Sequence, residues 1–113
     1  MLTIDVLKEY GADVNAGLTR CLNNETFYLG LVGRALDDPS FEKLDAAVAT
    51  NDIKAIFEIS HTLKGVLGNL SLTPLFDIAS EMTELARSGE SADYAAYLAR
   101  LMEKRKAIQE LAK

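Results

Sequence analysis

The chain has 113 residues and a formal net charge of −5, a length suited to one domain with a buried core and a charge balance that disfavours nucleic acid and anionic membranes as partners. Its 49% hydrophobic and 26% charged residues are those of a globular protein, which excludes a disordered chain, and no window approaches the eighteen or so unbroken apolar residues of a membrane span. Cys21 is the only cysteine, so no internal disulfide can form, and a reducing, cytoplasmic setting is expected.

The opening MLTIDVLKEYG is amphipathic and carries acids early, unlike a signal peptide. Thr3 is placed to cap a short first helix that ends near Tyr10, with Gly11 as its stop. Asp13 caps a second helix, expected through Leu22, and Asn23 opens a third in which Phe27, Leu31 and Leu36 recur at helical spacing. Pro39-Ser40 starts a fourth, with Phe41, Leu44, Ala47 and Val48 on one face. Asn51-Asp52 breaks it and caps a fifth that runs to about Leu70. Thr73-Pro74 predicts a sixth helix, threonine at the cap and proline at the first helical position, bearing Leu75, Ile78, Met82 and Leu85 and stopping at Gly89. Ser91 is expected to cap the last helix, with Tyr94, Leu98, Leu101, Ile108 and Leu111.

No stretch alternates with period two, and short links between long helices make antiparallel neighbours. The fold class expected is therefore all-α. One domain spans residues 1–113, with short N-terminal helices over 1–38 packed on an antiparallel four-helix bundle over 39–113.

The fifth helix reads DIKAIFEISHTLKGVLGNL from Asp52 to Leu70. On a wheel of about 100° per residue, Ile56, Ile59, Leu63, Val66, Leu67 and Leu70 fall in an arc of roughly 100°. His61, the only histidine, lies roughly 150° from the middle of that arc and so points away from the core. Gly65 follows one turn later and Gly68 two turns later on the same side. Each glycine costs about 1 kcal/mol relative to alanine in a helix interior, a cost without reward on a merely solvated face. Their absent side chains would leave the imidazole bare for close approach by another protein; close packing of a neighbouring helix is the alternative. Lys64, three residues after His61, sits on the adjacent turn, where an ammonium would offset the charge of a phosphoryl group on the ring. Phe57, one turn before His61, lies at the edge between core and exposed face, and Glu58 is a solvated acid within reach of the ring.

Imidazole is a competent nucleophile at neutral pH, and phosphoryl transfer asks the protein mainly for positioning and charge stabilisation. No Walker-type loop, no G-x-G-x-x-G and no acidic cluster for magnesium is present, so the donor must bring the catalytic apparatus. One histidine and one cysteine forty residues apart give no metal-ligand spacing.

His61-Thr62-Leu63-Lys64-Gly65, followed by Asn69-Leu70, resembles the H-x-L-K-G signature of histidine-containing phosphotransfer (HPt) domains. The likeness extends over most of the chain, including the Phe41-to-Asp52 helix, the helix after Pro74 and the segment MTELARSGE. The resemblance implies a four-helix bundle with extra N-terminal helices. It implies that His61 takes a phosphoryl group from a receiver domain's phospho-aspartate and passes it to another receiver. Lys64 would balance charge and Gly65 would permit close docking, with Gly68, Phe57 and Asn69 as further binding residues. The partners implied are response-regulator receivers and, as a further candidate, a hybrid sensor kinase. The chain would be a phosphocarrier without a kinase or ATP site of its own, a monomer without cofactor, with any magnesium supplied by the receiver. Many members carry a glycine ten positions after the histidine, where this chain has Ser71, a residue suited to a turn.

Two other classes compete. The dimerisation helices of sensor kinases also phosphorylate a histidine, but an acid and a Thr-Pro mark theirs, and here Thr62-Leu63-Lys64 follows. A helical adaptor bundle without chemistry would explain the glycines but not the placement of Lys64.

Overall fold

Five side chains set helix starts by accepting a backbone N–H three residues on: Thr3 from Val6, Asp13 from Ala16, Asn24 from Phe27, Asp52 from Ala55 and Asp93 from Ala96. The computed structural model describes all 113 residues. It contains α1 (Ile4–Tyr10), α2 (Val14–Arg20), α3 (Glu25–Leu36), α4 (Ser40–Ala49), α5 (Ile53–Asn69), α6 (Thr73–Arg87) and α7 (Tyr94–Leu111), with no strand. The all-α fold expected from the sequence is the fold observed.

Helices α4 to α7 form a closed ring of neighbours, with α4 on α5, α5 on α6, α6 on α7 and α7 back on α4. Short turns alternate their directions and make an antiparallel bundle. Phe41, Leu44, Ile56, Leu63, Leu67, Leu75, Met82 and Leu101 are fully buried between them.

The first three helices cap the end of the bundle where α5 turns into α6. Helix α1 lies on α7, where the Tyr10 hydroxyl donates to the Lys104 carbonyl at 2.9 Å. At the start of α2, the Asp13 N–H donates to the Ser71 carbonyl in the α5–α6 turn. Helix α3 drives Tyr28 into the interior, and its hydroxyl donates to the Leu70 carbonyl at 2.7 Å. Gly17 makes that insertion possible, because a Cβ there would sit 2.6 Å from the Tyr28 ring. Arg105 of α7 completes the join: its Nε donates to the Leu36 carbonyl while its guanidinium lies over Phe41.

Four boundary expectations are corrected. Helix α2 stops at Arg20 rather than Leu22, because Leu22 and Asn23 adopt left-handed φ of 56° and 59°. Asn24, not Asn23, therefore caps α3. Its buried face becomes Tyr28, Val32, Ala35 and Leu36, leaving Phe27 51% exposed and Leu31 only half-buried. Thr73 lies inside α6 as its first residue; Leu72 occupies the cap, and the Thr73 hydroxyl bonds back to the Ser71 carbonyl. Asp93 rather than Ser91 caps α7, since its carboxylate lies next to the first helical turn. At the far end of α7, Leu111 remains 38% exposed.

Candidate functional site

Helix α5 buries Ile56, Leu63 and Leu67, with Leu70 buried at its C-cap, half-buries Ile59 and Val66, and leaves His61 exposed on the opposite side. Ser60 is the polar member of the buried stripe. It accepts from the Thr83 hydroxyl of α6 at 3.1 Å, so the residue before His61 is pinned to the neighbouring helix. The His61 ring lies against Phe57, with centroids 5.7 Å apart and planes 14° from parallel. Phe57 in turn carries Arg87 of α6, whose guanidinium is 5.2 Å from the ring centroid.

Lys64 is half-buried, and its ammonium lies 3.9 Å from Glu84, which also pairs with Arg87 at 3.5 Å. Exposed ion pairs of this kind contribute about 1 kcal/mol or less, so the ammonium is held near the ring without being fixed there. Glu58 points its carboxylate to solvent, and its carbonyl accepts from Thr62.

The two glycines part company. An ideal Cβ on Gly65 meets nothing within 4 Å, so this position is open. On Gly68 the same atom would lie 2.9 Å from the Phe76 ring, so that glycine accommodates α6 and does not serve to bare His61. The expectation that both glycines clear the ring is thus corrected for Gly68, whose glycine is explained by internal packing.

His61, Lys64, Gly65, Gly68, Asn69, Phe76 and Arg20 line a single open cavity of about 390 Å³. The site residues expected from the sequence are brought together there, except Phe57, which flanks the ring on the other side in a second cavity with Lys54 and Arg87. Four contributors were not anticipated: Arg20, Phe76, Glu84 and Arg87. Three of them lie on α6 and follow from the antiparallel hairpin, because a turn at Leu72 sets Phe57 opposite Arg87, Ser60 opposite Thr83 and Gly68 opposite Phe76. Arg20 has no such local signal, since only the cap of N-terminal helices carries it to the site.

Ser71, where the resemblance leads one to expect a glycine, adopts φ 55°, the left-handed conformation a glycine takes freely. Its hydroxyl compensates by accepting from Arg20 Nη1 at 2.7 Å. No group of three His, Cys, Asp or Glu side chains is gathered to hold a metal ion, and no helix is long and apolar enough to cross a membrane.

The model of the Hpt domain matches residues 38–113, the bundle together with the two residues before it. No curated protein and no solved structure matches the chain. The chain belongs to the Hpt domain family. Domains of that family are phosphotransfer modules of two-component signalling, carriers rather than kinases, and they interact with receiver domains.

Proposed function

We propose that this protein is a relay carrier in which His61 takes a phosphoryl group from one receiver's phospho-aspartate and delivers it to a second receiver. The observation that carries the proposal is the exposed His61 ring beside an open Gly65, with Lys64 in the same cavity. In the forward step, the lone pair of a ring nitrogen attacks phosphorus. The N–P bond forms as the aspartyl O–P bond breaks, and the carboxylate leaves with the bonding electrons. We assign the attack to Nε2, the atom farthest from the backbone, and the ring keeps its proton on Nδ1. The new phosphoryl oxygens draw Lys64 away from Glu84, since a charge-assisted bond to phosphate outweighs an exposed pair at 3.9 Å. Gly65 lets the partner's backbone close on the ring, and Phe57 and Asn69 border the landing surface. The receiver contributes any magnesium required. The carrier acts as a cytoplasmic monomer, and a hybrid sensor kinase is the natural source of the first receiver.

The test is a two-step transfer. A receiver labelled with radioactive acetyl phosphate is mixed with the protein, removed, and replaced by a second, unlabelled receiver. Label should pass to the protein and then to the second receiver. Label that reaches the protein but never leaves it would contradict the relay, and an unlabelled protein would contradict phosphotransfer altogether. A pure adaptor bundle would bind receivers and take no label.

A further inference from the structure

We infer that Arg20 is a docking residue, a cation that the N-terminal helices place on the rim of the His61 cavity to pair with a carboxylate on the receiver. The inference rests on the carrier reading of His61 and adds a contact from outside the segment that matches the family model, residues 38–113.

Arg20 ends α2, and a single nitrogen fixes it. Nη1 donates to Ser71 Oγ at 2.7 Å, to the Gly68 carbonyl at 3.2 Å and to the Asn69 carbonyl at 3.4 Å. The two carbonyls belong to the C-terminal end of α5, where a cation also suits the helix dipole. Nε and Nη2 make no hydrogen bond within the protein, and no carboxylate lies within 4.0 Å of the guanidinium. Asp13 and Asp77 face Arg20 from the other side, across a cavity of about 300 Å³, while Lys64 faces it across the His61 cavity. Arg20 is exposed, and its free edge is oriented by anchored carbonyls rather than by a mobile acid.

Distance decides the role. Lys64 lies one turn from His61, about 5 Å along the helix axis, within reach of a phosphoryl group on the ring. The carbonyl of Gly68 lies seven residues on, about 10 Å along the axis, so Arg20 meets the partner's rim and not the transferring group. A receiver that handles a phospho-aspartate with magnesium must present oxygen ligands, mostly carboxylates, around that site. An acidic rim is what a preorganised guanidinium on the edge of the histidine's cavity would recognise.

The experiment compares Arg20→Gln and Arg20→Lys with the natural chain, using a receiver phosphorylated with acetyl phosphate. Glutamine keeps a polar side chain and removes the charge; lysine retains the charge. Arg20→Gln should raise the KM for phosphoreceiver roughly threefold, with kcat little changed, and should flatten the dependence of kcat/KM on salt. Arg20→Lys should recover most of both effects. Equal KM and equal salt dependence in Arg20→Gln would overturn the inference. So would a loss that lysine fails to recover and that tracks a matching fall in Tm, which would make Arg20 a structural staple only. His61→Gln, run alongside, separates the two levels: label that survives it overturns the carrier reading, whereas His61-dependent label with an unaltered Arg20→Gln overturns only the docking role.

Discussion

Gly65 and Gly68 stand three residues apart on one helix and meet opposite surroundings. Around Gly65 the surface is open, His61 is held only by stacking on Phe57, and Lys64 is loosely paired. From Gly68 onward every backbone carbonyl to Ser71 is engaged: Arg20 takes those of Gly68 and Asn69, the Tyr28 hydroxyl takes that of Leu70, and the Asp13 N–H takes that of Ser71. One end of α5 is clamped by the N-terminal cap so that the turns before it can stay bare without losing their position. A carrier needs both properties, because a partner must close on the ring and the ring must already be oriented when it does.

The largest test of this contrast is Gly17→Ala. The added methyl group would meet the Tyr28 ring at 2.6 Å, and that ring cannot retreat without releasing the Leu70 carbonyl. A loss of about 2 kcal/mol in a urea titration is expected, within the usual range for overpacking. A neutral substitution would mean that the clamp is soft.

Alkaline pH attacks the same end by a different route. Burial pushes the Tyr28 hydroxyl up to about 12 and raises Tyr10 as well. In the unfolded chain both hydroxyls ionise near pH 10, so the unfolded state loses protons first. Stability should hold up to about pH 10 and then fall toward pH 12, by about 1.4 kcal/mol per pH unit for each tyrosine kept neutral. Chemical unfolding across that interval checks it, and Tyr28→Phe should make the decline shallower.

The smallest effect on stability belongs to the open turn. Gly65→Gln should leave the fold intact and add roughly half a kcal/mol, since glycine is a poor helix former and nothing crowds the position. Transfer should nonetheless slow, because the new side chain occupies the approach to His61. Unfolding of this variant would show that Gly65 serves internal packing, as Gly68 does.

Much of this was legible in the sequence. Caps and breakers, joined by apolar periodicity in the longer ones, located all seven helices, and the angular distance of His61 from the apolar stripe of α5 is local geometry that tertiary packing does not alter. The losses came where the deciding contact is not local. Phe27 and Tyr28 are adjacent aromatics on α3, and only the Gly17 notch and the Leu70 carbonyl determine that the second goes inward. Gly68 carried the same helix-position signal as Gly65, and the Phe76 ring that distinguishes them sits on another helix. Arg20 lies 41 residues before His61 and reaches its cavity only through a three-helix cap. The capping errors have a simpler origin: Asn23 and Asn24, or Ser91 and Asp93, are both competent caps, and the turn geometry chooses between them.

The most direct test of the central claim is the chemistry of the bound label. The protein is phosphorylated by a labelled receiver, the number of phosphoryl groups per chain is measured, and label is followed in acid and in base for the natural chain and for His61→Gln. One group per chain, lost in acid, kept in base and absent from His61→Gln, is the predicted result. Label that withstands acid, or that remains on His61→Gln, would contradict the assignment of His61 as the phosphoryl acceptor.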